Sequence, residues 1–117
     1  MNIEDYRNHC INKPGVTEEF PFDEKTLVFK VMGKMFALCD VDLFESFNLK
    51  CDPEKSIELR ERYQGIIAGY HMSKKHWNTI TSDSDVPYEL QIELIDHSYD
   101  LVVSGLTRKL KTELSNL

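Results

Sequence analysis

The sequence lacks long hydrophobic runs and a cysteine framework. No apolar run approaches the ~20 residues of a membrane-spanning helix, so we expect no membrane association. The polar, acidic N-terminal segment is not typical of a signal peptide, and a cytoplasmic location is expected. The three cysteines, Cys10, Cys39 and Cys51, are an odd number without metal-ligand spacing. This pattern predicts free, buried thiols in a reducing compartment.

The motifs of common enzyme classes are also missing. Neither a glycine-rich phosphate loop nor a Gly-x-Ser-x-Gly turn occurs. Asp96, His97 and Ser98 are consecutive, and consecutive helical residues point in different directions, so they cannot form a triad among themselves. His71 and His76 stand five residues apart without a Cys-x-x-Cys pair, which argues against zinc. We therefore expect no catalytic activity, no cofactor and no metal site of this kind.

An excess of positive charge is missing as well. The net charge of −6 argues against a protein that coats nucleic acid indiscriminately, because phosphate repels it at long range. The acidic excess is uneven: residues 1–49 and 82–117 each carry a balance of −4, whereas residues 50–81 hold 6 bases and 4 acids. The locally basic middle is compatible with a focused anion site, although charge alone favours an ordinary solvated surface.

What the sequence does contain predicts one α+β domain over residues 1–117, large enough to bury about two-thirds of its unfolded surface. Alternating hydrophobicity predicts an antiparallel sheet with strands near 26–32, 35–41, 44–51 and 77–81 and a tight turn at Gly33–Lys34. Cap signals and apolar stripes predict helices near 2–12, 53–63 and 87–104, with a further short helix through Leu106, Leu110 and Leu114.

Details of the second predicted helix and its surroundings can be tested directly. Ile57, Leu59 and Tyr63 are expected to face inward. Arg60 and Arg62 lie near its C-terminus, where positive charge stabilises the helix dipole without any ligand. The segment 82–85 offers an N-cap for the next helix.

The segment Val16–Lys25 is acidic and aromatic, and fits either a loop or an edge strand. Its carboxylates at positions 18, 19, 23 and 24 suggest a weak divalent-metal patch as one hypothesis. A solvated acidic face is the more common explanation of adjacent acids.

The segment Gly69–Thr81 concentrates the groups that can contact a phosphate or a base. It holds two lysines, two histidines, one tyrosine and the single tryptophan. In a purely structural interpretation, Trp77 and Tyr70 fill the core, and His71 satisfies a buried hydrogen bond. We expect Trp77 to be mostly buried against the C-terminal helix.

In a functional interpretation, the same segment forms the tip and edge of a hairpin. Lys74, Lys75 and the amide of Asn78 then contact phosphates, while Asn78 or His76 reaches base edges. Both interpretations hold together if Trp77 anchors an outer basic rim.

Four segments resemble the MmcQ/YjbR family in order and spacing, over nearly the whole chain. They are Lys13–Gly15, Phe29–Ala37, Gly69–Thr79 and Ser98–Val102. The resemblance implies a bacterial protein with the fold of the frataxin-like CyaY proteins, an antiparallel sheet flanked by terminal helices. It also implies DNA binding through a pair of hairpin wings.

Carried onto this chain, the resemblance and the basic segment give the candidate DNA contacts Lys30, Lys34, Lys50, Lys74, Lys75, His76 and Asn78. We expect a monomer that binds DNA weakly. The alternative is a protein-interaction or regulatory module that uses the same sheet without nucleic acid. A steep salt dependence distinguishes the first from the second.

Overall fold

Six strands and four helices form within residues 1–69 and 72–117, the part of the chain that this computed structural model describes. The helices are α1 (Ile3–Ile11), α2 (Pro53–Arg62), α3 (Tyr88–Ser104) and α4 (Arg108–Ser115). The strands are β1 (Val16–Glu19), β2 (Thr26–Val31), β3 (Lys34–Asp40), β4 (Ser46–Lys50), β5 (Ile66–Ala68) and β6 (Trp77–Thr81). Among these described helices, none has the length and apolar character needed to cross a bilayer. Tyr70 and His71 lie outside the described residues, and so do the roles predicted for them.

All strands join one antiparallel sheet in the order β1-β2-β3-β4-β6-β5. Strands β2, β3 and β4 form a meander, whereas β6 inserts between β4 and β5. The predicted α+β class and the antiparallel sheet are confirmed.

The two faces of this sheet differ. On the helix-side face, Phe29 and Phe47 pack around Tyr6 of α1, with ring centroids 5.7 Å and 4.8 Å from the tyrosine ring. Helix α3 covers β3 and β4 on the same side. Side chains that alternate with these, such as Asn48, point to the other side, which we call the open face. The alternation predicted for β4 is confirmed.

The first hairpin turns one residue earlier than predicted. Val31 pairs with Lys34, so Met32 and Gly33 are the central turn residues. Both have positive φ, 49° and 84°, as the turns that match strand twist require. Lys34 therefore belongs to β3 and not to the turn.

Strand β4 is shorter than predicted because a wide turn precedes it. The Asp40 carboxylate accepts the backbone N–H of Asp42 at 2.9 Å and that of Leu43 at 3.0 Å. Phe44 adopts a positive φ of 34°, and pairing begins only at Ser46.

Two predictions about helix faces and caps are wrong. Ile57 is 57% exposed, because α2 turns Ser56 and Leu59 toward the sheet instead. The N-cap residue of helix α3 is Pro87, so the helix has no side-chain cap from the segment 82–85. The Asp85 carboxylate instead accepts the N–H groups of the two residues that follow Tyr63, each at 2.8 Å, and so holds the end of α2.

The three cysteines are free and buried, as predicted. Burial raises the pKa of Cys39 to about 12 and raises that of Cys10 further. Burial also raises the pKa of Cys51. All three are therefore protonated thiols at neutral pH.

Candidate nucleic-acid interface

Two turns with predicted site residues lie at the same end of the sheet. Strand β2 leads into β3 through Met32–Gly33, β4 ends at Lys50, and β6 begins at Trp77. Because these strands are antiparallel neighbours, the four strand ends lie side by side. We call this end of the sheet the basic end. Its basic residues are Lys30, Lys34, Lys50, Lys74, Lys75 and His76.

The turn before β6 is held by backbone hydrogen bonds. The carbonyl of Ser73 accepts the N–H of Trp77 at 2.9 Å and closes the turn. The carbonyl of His76 accepts the N–H of Cys51 at 2.8 Å, which fixes the turn to the end of β4. The side chains of the two lysines and the histidine in the turn are exposed. The backbone is thus constrained, while the charged groups face solvent.

Arg60 supports this turn from the helix side. Its Nε donates to Asn78 Oδ1 at 2.7 Å, and its Nη2 donates to the carbonyls of Lys74 and Trp77. This role was not predicted from the sequence, because the helix dipole alone accounts for an arginine at that position. The partners lie 14 to 18 residues away, and no local spacing identifies them.

Asn78 is not a surface residue, and its predicted contact with phosphates or base edges is wrong. It is 2% exposed, and its Nδ2 donates to Ser56 Oγ at 3.2 Å. Side chains alternate along β6, so Asn78 faces α2 when its neighbours Trp77 and Thr79 face the open side.

Three predicted lysines line one groove of about 460 Å³ together with Trp77. They are Lys30, Lys34 and Lys50, which come from three adjacent strands. Lys30 Nζ lies 2.8 Å from Glu19 Oε1, so part of its charge is compensated. The structure therefore brings together residues that are 20 positions apart in the sequence.

Trp77 is 9% exposed, in agreement with the predicted burial. Its predicted packing against the C-terminal helix is wrong. It pairs with Lys50 in the register of β6 with β4 and faces the open side of the sheet. Leu101 and Val102 of α3 line the same groove as Trp77.

The opposite end of the sheet is acidic. It comprises the turns before β2, between β3 and β4, and after β6. We call it the acidic end, and its carboxylates are Asp23, Glu24, Asp40, Asp42, Glu45, Asp83 and Asp85. The carboxylates of these sheet turns thus lie at the end opposite the lysines, although Asp52 and Glu54 at the start of α2 follow closely after Lys50.

The acidic segment before β2 is not arranged as a metal site. Glu18 pairs with Arg7, whose hydrogen bond lowers the pKa of Glu18, and Glu19 pairs with Lys30. Asp23 accepts backbone N–H groups at the start of β2. Within residues 1–69 and 72–117, no three Asp, Glu, His or Cys residues are placed to hold a metal ion.

Helix α4 carries three further cations, which were not among the predicted contacts. Arg108, Lys109 and Lys111 are exposed. A Cβ built on Gly15, which precedes β1, would lie 2.6 Å from Leu114 Cδ1, so α4 packs beside this strand end. The spacing of the leucines had predicted this amphipathic helix. The basic residues on its polar face could therefore have been recognised from the sequence as further candidate contacts.

Part of the family resemblance rests on residues that hold the fold together. Ser98 Oγ donates to the Phe36 carbonyl at 2.6 Å and accepts the N–H of Lys50 at 2.9 Å, which fastens α3 to two strands. Tyr99 donates to the Pro14 carbonyl at 2.6 Å. These contacts join three of the four shared segments and give Ser98 and Tyr99 a structural role.

Known proteins resemble this chain over most of its length. The YjbR family model matches residues 11–101. YbdF from Escherichia coli O157:H7 is 37% identical over 101 residues, covering 86% of this chain and 83% of that protein. YjbR from Escherichia coli K12 is 30% identical over 118 residues, covering 97% of this chain and 100% of that protein.

The fold has a solved counterpart. The crystal structure of Deinococcus radiodurans protein DR2400, with a DUF419 domain, is similar with a TM-score of 0.90 and 45% sequence identity. The similarity covers 97% of this chain and 88% of that one. Sequence and structure agree, and the chain belongs to the YjbR family.

Proposed function

We propose that this chain is a cytoplasmic, non-catalytic, monomeric protein that binds duplex DNA weakly through the basic end of its sheet. One observation carries the proposal. Six of the seven residues predicted as DNA contacts lie at the same end of the sheet, on or beside two turns. The seventh, Asn78, is buried below them.

The spacing of the turns suits a nucleic-acid groove. Strands β3 and β6 are separated by β4, so their ends lie about 10 Å apart at ~4.8 Å per strand. The major groove of DNA is about 12 Å wide. Lys34 and Lys74 can therefore contact phosphates on two sides of a groove.

The charge distribution orients the molecule and limits its affinity. The acidic end is repelled by phosphate, whereas the basic end is attracted, so an approaching duplex meets the lysines first. The net charge of −6 weakens the overall attraction. Contacts of lysine with phosphate distinguish poorly between sequences, and binding should depend on salt rather than on base sequence.

The test is fluorescence anisotropy of a labelled duplex, titrated with protein at several salt concentrations. The double variant Lys74→Ala with Lys75→Ala should bind about tenfold more weakly at low salt. The slope of log affinity against log salt should decrease by about 1 per lost contact, equally for unrelated DNA sequences.

A matched control removes the same charge elsewhere. Lys25 and Arg62 are exposed and lie toward the acidic end, so Lys25→Ala with Arg62→Ala changes the net charge equally. This control should bind within about twofold of the original protein. If the original protein does not bind at low salt, or both double variants weaken binding alike, the proposal is wrong. Binding of a protein partner with little salt dependence would then favour an interaction module.

A further inference from the structure

A second groove, of about 770 Å³, lies on the open face. It adjoins the lysine-lined groove and shares Phe22, Met35 and Trp77 with it, but none of the three lysines lines it. Leu38, Asn48 and Thr79 are half-buried and form its floor. Phe22 and Leu43 stand at its sides and are 66% and 70% exposed. Exposed apolar side chains beside a concave surface are typical of a binding site, and the volume is that of small-molecule sites.

The charged side chains that line this groove are all acidic. Asp23, Asp40 and Glu45 line it at the acidic end. The Asp40 carboxylate is fixed by two backbone N–H groups of its own turn. The hydrogen bonds that Asp23 accepts from the backbone lower its pKa, so it is ionised at neutral pH. The nearby Lys25 Nζ lies 3.9 Å from Asp42 Oδ2.

We propose that this groove binds a small amphipathic cation, a molecule with an aromatic or branched apolar body and a protonated amine. The apolar body would lie on Leu38 between Phe22 and Trp77, and the ammonium group beside Asp40 and Glu45. An anionic ligand would meet the same carboxylates and be repelled, so the preferred ligand charge is opposite to that of the phosphates proposed for the neighbouring basic end.

Trp77 makes the proposal directly measurable. It is the single tryptophan of the chain and lines both this groove and the adjoining lysine groove. Its emission therefore reports on binding beside it, and the carboxylate variants below assign that binding to this groove. The probes are 4-tert-butylbenzylamine, 4-tert-butylbenzyl alcohol and 4-tert-butylbenzoate, which share one apolar body and differ in charge. Saturable quenching by the amine is expected with a Kd of about 1 mM or tighter, from the usual affinity per atom of small ligands. The alcohol should bind about tenfold more weakly and the benzoate more weakly still.

Neutral variants test the carboxylates. Asp40→Asn with Glu45→Gln should lower the affinity for the amine to that for the alcohol, and should leave the alcohol unchanged. The control Asp83→Asn with Glu89→Gln changes two exposed acids outside the groove lining and should leave all three affinities unchanged. Thermal unfolding checks that each variant is folded.

Three results would overturn the proposal. The first is the absence of saturable quenching by the amine. The second is equal or tighter binding of the alcohol or the benzoate. The third is an equal loss of amine binding in the control and in the groove variant.

Discussion

Adjacent residues of β4 lie on opposite faces of the sheet, and the two faces differ in burial. Phe47 and Leu49 are 1% exposed and pack on the helix side, while Asn48 and Lys50 alternate with them on the open face. The helix-side face holds a closed aromatic and aliphatic core. The open face holds the groove with carboxylates, and the groove with lysines adjoins it at the basic end. The same strands therefore stabilise the fold through their buried face and present charged side chains to solvent on the other face.

The largest expected effect compares the two faces at neighbouring positions. Phe47→Ala removes a buried ring next to Tyr6 and should lower the free energy of unfolding by about 3–5 kcal/mol. Asn48→Ala, one residue away on the open face, should lower it by less than about 1 kcal/mol. Urea unfolding of both variants measures the difference. Similar losses would show that the two faces do not differ as described.

A smaller effect is expected where the helix side supports the basic end. Arg60→Met keeps the apolar stem but leaves Asn78 Oδ1 without its charged donor, and should cost about 2 kcal/mol. Arg62→Met, two residues along the same helix, changes an exposed arginine and should cost less than about 0.5 kcal/mol.

The same pair of variants also reports on function. Without Arg60, the turn with Lys74 is no longer held from below, so DNA affinity should fall even at temperatures where the variant is folded. The measurement is anisotropy at low salt beside circular dichroism. An Arg60→Met protein that loses stability but binds DNA like the Arg62→Met control would show that the turn needs no such support.

The smallest effect is a pH dependence from the helix side. Burial, and to a lesser extent Lys55, lower the pKa of His97, whose Nε2 accepts the N–H of Asp52 at 3.1 Å. As the pH falls, His97 is therefore protonated in the unfolded chain at a higher pH than in the folded protein. The contribution of His97 to the free energy of unfolding should be fully present above the ordinary histidine pKa of 6.5. It should decrease as the pH falls below that value.

Urea unfolding at pH 7.5 and pH 5.5 tests this expectation. His97→Gln should reduce the difference between the two pH values, whereas His76→Gln, a change at an exposed histidine, should not. An unchanged pH dependence in the His97 variant would assign the effect to other groups.

Much of the fold could be predicted because its signals are local. Alternation identified β2 and β3, and the proline-led cap identified α2. The face of β6 was harder to predict, because Trp77 and Asn78 are both buried, and only the pairing with β4 decides which one faces the helix side. Ile57 was misplaced for a similar reason, since α2 approaches the sheet through the small Ser56.

The candidate site could be predicted only as a set of residue types. Lysines were recognised along the sequence, but their convergence depends on the position of β6 beside β4. Arg60 escaped prediction because its partners come from a distant turn. The groove of the open face also escaped, because Phe22, Leu38 and Trp77 meet only through the folded sheet.

The burial of the three cysteines affects how quickly their thiols are chemically modified. Oxidants and alkylating reagents attack thiolates at accessible sulfur atoms, and the fold denies both the ionised form and the access. Chemical damage at Cys10, Cys39 or Cys51 must therefore wait for an opening of the core. The rate at which these sulfur atoms are oxidised should therefore scale with the population of the open state, whichever oxidant is present.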